Sequence, residues 1–205
     1  MVITYHGGAC FRVSFGDTTL VFNPPSKESK QKSVRFGADI ALVSADHPDF
    51  SGADTLANAG KAPFAIDGPG AYEIKGVVVK GFPSEGAYEG AKLRNTIYLV
   101  TLEDMNLCFL GALSSRKLSA DVVEELDGVD LLFVPVGGGT LDASAAHELA
   151  VELEPSITIP MLYAGKELSA FLKEEGAEGA KPLEKLTLKM RDLEGKEGEV
   201  AVLVS

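Results

Sequence analysis

The strongest constraint on the fold is a change of rhythm along the chain. Up to about residue 102 the sequence breaks into short β-rich runs, VITYH, CFRVSF, TTLVF, DIALVS, PFAID, GVVVKGF and NTIYLVTL, separated by turns rich in Gly, Pro, Asp and Ser. Evenly spaced runs of this kind predict sheets. MNLCFLG adds a strand, and from there strand and helix alternate, which is the pattern of a mixed α/β (α+β) architecture.

In the second half, VDLLFVPV is continuously apolar, as expected of a strand buried on both faces, and leads through Gly137, Gly138 and Gly139 to Asp142. Asp142 is placed to cap a helix whose apolar positions Ala145, Ala146, Leu149, Ala150 and Leu153 recur at helical spacing. ITIPML reads as the next strand. GKELSAFLKEEG reads as a second amphipathic helix, with Leu168, Phe171 and Leu172 inward and Gly176 as its stop. LEKLTLKM and EVAVLVS are expected to close the chain as two alternating strands. With no long linker and no low-complexity tract, residues 1–205 are expected to form one domain.

A chain of 205 residues with 45% hydrophobic and 24% charged residues can bury a sizeable core. Its net charge of -11 sets a field that repels phosphate backbones and anionic membranes, so neither nucleic acid nor membrane is an expected partner. The one basic stretch, SKESKQKSVR from Ser26 to Arg35, reads as a solvated loop first and an anion contact second. No leader-like run and no membrane-length apolar window stands in the sequence, and the expected compartment is the cytoplasm. Cys10 and Cys108 lie in apolar runs, as buried free thiols do, with a disulfide between them left open by the sequence.

Candidate chemistry is sparse. The histidines are His6, His47 and His147. His147 falls mid-helix, and His6 precedes Gly7-Gly8 without the Gly-x-Ser-x-Gly elbow that a lipase-like reading needs. In SADHPDFSG, His47 and Asp49 stand two residues apart, so one loop directs an imidazole and a carboxylate to the same region. Two side chains are a fragment of a metal site, because zinc takes four ligands or three plus water. The triple glycine matches neither a Walker A loop nor a dinucleotide fingerprint and reads as a tight strand-to-helix turn, with an anion cradle as the second reading.

The ordered blocks HGGACF, FNPPSKE, LVSADHPDFSG, IDGPGAYEIKGV, NTIYLV, FLGAL, DLLFVPVGG and ITIPMLY resemble the metallo-β-lactamase superfamily, in the small hydrolase branch that includes ascorbate-6-phosphate lactonase-like proteins. The resemblance spans essentially the whole chain. It implies a four-layer αββα sandwich with a metal site, commonly dinuclear, in loops at one edge. Of the family's His-x-His-x-Asp-His loop, His47 and Asp49 match, while Ala45 and Phe50 stand where histidines are expected. Gly8, Ala112 and Leu162 occupy three further ligand positions, Asn23 replaces an Asp before Pro24, and no histidine stands near Gly86.

Two readings follow. In the first, the chain is a degenerate member of the superfamily, a pseudoenzyme with no dinuclear site, no expected cofactor and a binding or regulatory role toward a small molecule or protein; Gly8, Asn23, Ala45, His47, Asp49, Phe50, Ala112 and Leu162 would line its vestigial pocket. In the alternative, it is a metal-dependent hydrolase of a lactone, ester or phosphodiester. There, zinc or another divalent metal sits at a reduced mononuclear site of His47 and Asp49, completed by Asp46, Glu85, Tyr163 or the substrate. Metal-free catalysis by Cys10 with His6 or His47 is a third class, against which core packing is the better account of Cys10.

Overall fold

The computed structural model describes residues 1–57 and 60–205. Its strands in chain order are β1 (Val2–Tyr5), β2 (Phe11–Phe15), β3 (Thr18–Phe22), β4 (Ile40–Leu42), β5 (Phe64–Ile66), β6 (Gly70–Ile74) and β7 (Val77–Tyr88). They continue as β8 (Ala91–Leu102), β9 (Met105–Phe109), β10 (Leu131–Pro135), β11 (Ile157–Met161), β12 (Leu186–Thr187) and β13 (Glu199–Val200). Three α-helices accompany them: α1 (Ala120–Glu125), α2 (Ala143–Leu153) and α3 (Gly165–Glu174). The strands form two mixed sheets, ordered β12-β1-β2-β3-β4-β5 and β13-β11-β10-β9-β8-β7-β6.

The period-two pattern of each strand explains why the sheets stack. In β3, Leu20 and Phe22 point into the layer between the sheets while Val21 points outward; in β10, Leu131 and Phe133 point inward while Leu132 and Val134 face the helices. Aromatic rings join the two inner faces: Phe22 stacks on Phe109 with centroids 4.5 Å apart, and Phe11 meets Phe133 edge-on at 4.9 Å. Over the second sheet, Ala146, Leu149 and Leu153 of α2 and Phe171 of α3 cover Cys108, Leu132 and Val134. Over the first sheet the outer layer is thin: Val34 and Leu56, the latter from a 3₁₀ turn at Ala53–Leu56, cover Cys10, Val21 and Ala41. This is the expected two-sheet sandwich, with its helical layers unequal in weight. Cys10 and Cys108 are both buried and free, in separate outer layers.

Several local expectations change. β6 is an additional strand, and β7 and β8 form one long hairpin running to Tyr88 and from Ala91. The turn residues Glu89 and Gly90 both have positive φ (47° and 83°), as tight hairpin turns require. LEKLTLKM forms a strand only at Leu186 and Thr187, with Leu183 bridging Leu203, before a 3₁₀ turn at Met190–Leu193 carries Leu193 into the core, and EVAVLVS forms a strand only at Glu199–Val200. Asp142 caps α2 as expected, its carboxylate accepting from the Ala145 amide at 2.8 Å.

Gly111, between β9 and α1, has φ 62°, and a Cβ there would lie 2.3 Å from the Asn95 Oδ1 and 2.6 Å from the Ser44 Cβ. Gly111→Ala is expected to lower stability by at least about 3 kcal/mol, since left-handed strain adds to a clash with the buried, hydrogen-bonded Asn95 and Ser44 side chains; a urea midpoint equal to that of the unsubstituted protein would contradict this account.

Candidate functional site

Ser44 sits where the two sheets meet. Its amide donates to the Asn23 Oδ1 and its hydroxyl accepts from the Asn23 Nδ2, both at 2.8 Å, while its carbonyl accepts from the Thr96 amide on β8 at 2.7 Å. All three residues are buried, so these bonds are made away from competing water. Asn23 itself takes a left-handed φ of 43°, which Asn tolerates better than most residues. The SADHPDFSG loop therefore leaves a fixed point.

The loop then turns on itself. The His47 carbonyl accepts from the Phe50 amide at 2.9 Å, the Ser51 amide at 3.0 Å and the Ser51 hydroxyl at 2.8 Å. The Asp49 amide donates to the His47 Nδ1 at 3.2 Å. That bond assigns the tautomer: with Nδ1 accepting, the neutral ring carries its proton on Nε2. Phe50 and Tyr88 hold the imidazole, with ring centroids 5.3 Å and 5.0 Å from it.

Asp49 is buried, and each of its oxygens takes a hydroxyl. Ser29 donates to Oδ1 at 2.5 Å and Tyr88 donates to Oδ2 at 3.1 Å. Burial, and then the Asp49 charge, push the Tyr88 phenol above its ordinary value, so it stays a donor. Gln31, two residues beyond Ser29, lies beside the Tyr88 hydroxyl and over Gly8, where a Cβ would come within 2.5 Å of its carboxamide. Gly8 (φ 59°) accepts from the Leu162 amide at 3.0 Å, and Leu162 also has a left-handed φ, 57°. The triple glycine serves packing: a Cβ on Gly138 would strike the Tyr88 ring at 2.8 Å, and the Gly138 carbonyl accepts from the Glu89 amide at 2.8 Å.

The structure thus gathers His47, Asp49 and Phe50 with Tyr88, and Gly8 with Leu162. Ala45, Phe50, Ala112 and Leu162 all join the inter-sheet core, while Asn23, buried just after β3, is engaged by Ser44. Ser29, Gln31 and Tyr88 were not singled out by sequence reasoning. The basic stretch and the triple glycine were the visible signals, since one carries Ser29 and Gln31 and the other seats Tyr88. Asp46 and Glu85 are exposed, and the Tyr163 hydroxyl donates to the Leu203 carbonyl at 3.2 Å. His147 pairs with Glu175 between α2 and α3 at 3.2 Å. Burial pushes the Cys10 thiol up to about 12, which leaves it protonated and unsuited to nucleophilic work.

A divalent metal is what the superfamily resemblance implies at this edge. The donors present do not fit a resident one. Among the described residues no three His, Cys, Asp or Glu side chains converge, and catalytic zinc takes three protein ligands. The His47 ring is turned with Nδ1 toward a backbone amide, and both Asp49 oxygens are already engaged by hydroxyls.

Residues 2–162 match the family model described as β-lactamase superfamily domain. A UPF0173 metal-dependent hydrolase of Listeria monocytogenes is 25% identical over 198 residues, covering 80% of this chain and 85% of that protein. A crystal structure of a candidate Zn-dependent hydrolase of the metallo-β-lactamase superfamily from Thermotoga maritima superposes with a TM-score of 0.77 at 30% identity, covering 98% of this chain and 97% of that one. A candidate metal-dependent hydrolase from Parabacteroides distasonis shares the fold, with a TM-score of 0.70 at 13% identity over 98% and 91% of the two chains. Hydrolase names run through these relatives, which overturns the expectation, drawn from the replaced ligands, of a non-catalytic protein with only a binding or regulatory role. No helix among the described residues is long and apolar enough to cross a membrane. The two-sheet sandwich, the family match and the relatives agree: this chain belongs to the β-lactamase superfamily domain family, of metallo-β-lactamase fold.

Proposed function

We propose that the chain is a hydrolase of a lactone, ester or phosphodiester, working at the loop that carries His47 and Asp49. The observation that supports this reading is that both residues stand together on a loop fixed by Ser44, in a chain whose relatives are named metal-dependent hydrolases. His47 is half-buried and presents Nε2–H outward from a ring clamped between Phe50 and Tyr88. A neutral imidazole held in this way donates a hydrogen bond to the carbonyl or phosphoryl oxygen on which charge develops, without reorganising as it does so. Water is the second substrate: its oxygen ends on the acyl or phosphoryl group and its proton on the departing alkoxide. Asp49 acts by position, because the amide that follows Pro48 fixes Nδ1 while the Asp49 carboxylate is anchored to Ser29 and Tyr88. No step is drawn through a metal, since the chain's own donors do not complete a site.

The decisive measurement is turnover against a panel of lactones, carboxylic esters and phosphodiesters, each run with EDTA and with added Zn²⁺ or Mn²⁺. Turnover of at least one class is expected, with His47→Ala lowering it by about 10²- to 10³-fold, the usual cost of losing one donor to a developing oxyanion. Silence across the panel in every arm would end the proposal.

Two stability measurements probe the support of the site. Tyr88→Phe leaves the buried Asp49 carboxylate one donor short and should cost about 1–3 kcal/mol by urea unfolding. Chelation should leave the thermal midpoint within roughly 1 °C, because hydroxyls rather than a cation satisfy Asp49; a fall of several degrees would reveal a resident ion.

A further inference from the structure

The basic stretch folds across the Gly7-Gly8 turn, and together they enclose a cleft of about 780 Å³. His6, Lys32 and Arg35 line it, Phe36 forms an apolar wall, and Ser205 closes one side. Behind that wall the Arg12 guanidinium lies 5.1 Å from the centre of the Phe36 ring, and its Nε is buried with no partner among the described residues. The His6 ring packs on the same Phe36 at 4.7 Å. Among the described residues, none of Arg12, Lys32 and Arg35 joins an ion pair with an acidic side chain. A convergence of uncompensated cations is unusual in a chain of net charge -11, where acidic partners outnumber basic ones. The buried Gln31 Oε1 at the rim likewise has no hydrogen-bond partner among the described residues.

We propose that this cleft is an oxyanion-binding subsite, in which Lys32 and Arg35 hold the phosphate or carboxylate of a small molecule and Phe36 packs against its apolar part. Charge-assisted hydrogen bonds from a guanidinium and an ammonium suit such a group, and the half-buried His6 adds a third polar contact. Gly8 and Gln31 border both this cleft and the Asp49–Tyr88 cluster. The two regions thus share a border, and placing a ligand anchored here within reach of His47 is the one step of the inference that rests on the hydrolase reading; binding itself does not. Burial, then Arg12 and Lys32, hold the His6 imidazole below its ordinary value. A bound anion offsets those two cations and brings the imidazole back up.

The test is calorimetric titration of the full chain with phenyl phosphate, benzoate and, as a neutral control, benzyl alcohol. At least one anion is expected to bind and benzyl alcohol is not, and which anion binds separates a phosphate ligand from a carboxylate one. The exposed pair of substitutions Lys32→Ala and Arg35→Ala should weaken that binding roughly tenfold or more with an unchanged thermal midpoint, and saturation should raise the His6 titration midpoint followed by NMR. Neither anion binding, or the double variant binding as well as the parent, would overturn the proposal. Anion binding without turnover in the panel keeps this subsite and removes the hydrolase reading; turnover of neutral esters without anion binding does the reverse.

Discussion

Ser44 and the Asn23 carboxamide exchange two buried hydrogen bonds, and the Ser44 carbonyl takes a third from Thr96. Strands of the first sheet are thereby tied to each other and to the second sheet at the edge where the functional loop departs. Buried polar contacts of this kind add little net stability when satisfied and cost a great deal when broken, so they specify one arrangement. Asn95 repeats the device on the other side: its Oδ1 accepts from the Ala112 amide at 2.8 Å, and its Nδ2 donates to the Leu110 carbonyl at 2.9 Å. Gly111 lies between the two amide networks because nothing larger fits.

What this frame holds is a buried carboxylate, Asp49, that among the described residues joins no ion pair with a basic side chain. A buried ionised carboxyl is costly unless donors surround it, and the fold brings two hydroxyls to Asp49, one from the basic stretch and one from the hairpin tip. Phe50 and Leu162 pack into the inter-sheet core. Among the described residues the His47 Nε2 has no hydrogen-bond partner, on a ring held by Phe50 and Tyr88. The site is thus an ordered hydrogen-bonding surface, in a chain whose relatives are named for metal chemistry.

Much of the architecture could be read from periodicity. Strands such as β3 and β10, with an inward and an outward apolar row, follow directly from alternation and burial. β6 escaped because it is short and mostly exposed, its alternation confined to Tyr72, Glu73 and Ile74, and the far half of β7 is obscured by Gly81, Pro83 and Gly86. His47 and Asp49 were legible because they lie two residues apart. Ser29 and Tyr88 were not, because they reach Asp49 across 20 and 39 residues of chain, through contacts that only the folded sandwich creates. The triple glycine reads as a turn from sequence; that it is also a seat for the Tyr88 ring depends on a hairpin whose length the sequence understates.

The pairing of β1 with β12, Val2 opposite Thr187, has a kinetic consequence. β1 leads into the Gly7-Gly8 turn, so the strand that presents one wall of the functional edge is sealed on one side only when residues near the far end of the sequence arrive. Contacts of such long range make for slow folding. During synthesis the site would wait on β12, and proteolytic loss of the segment around it would leave β1 as an open sheet edge, prone to pair with other chains.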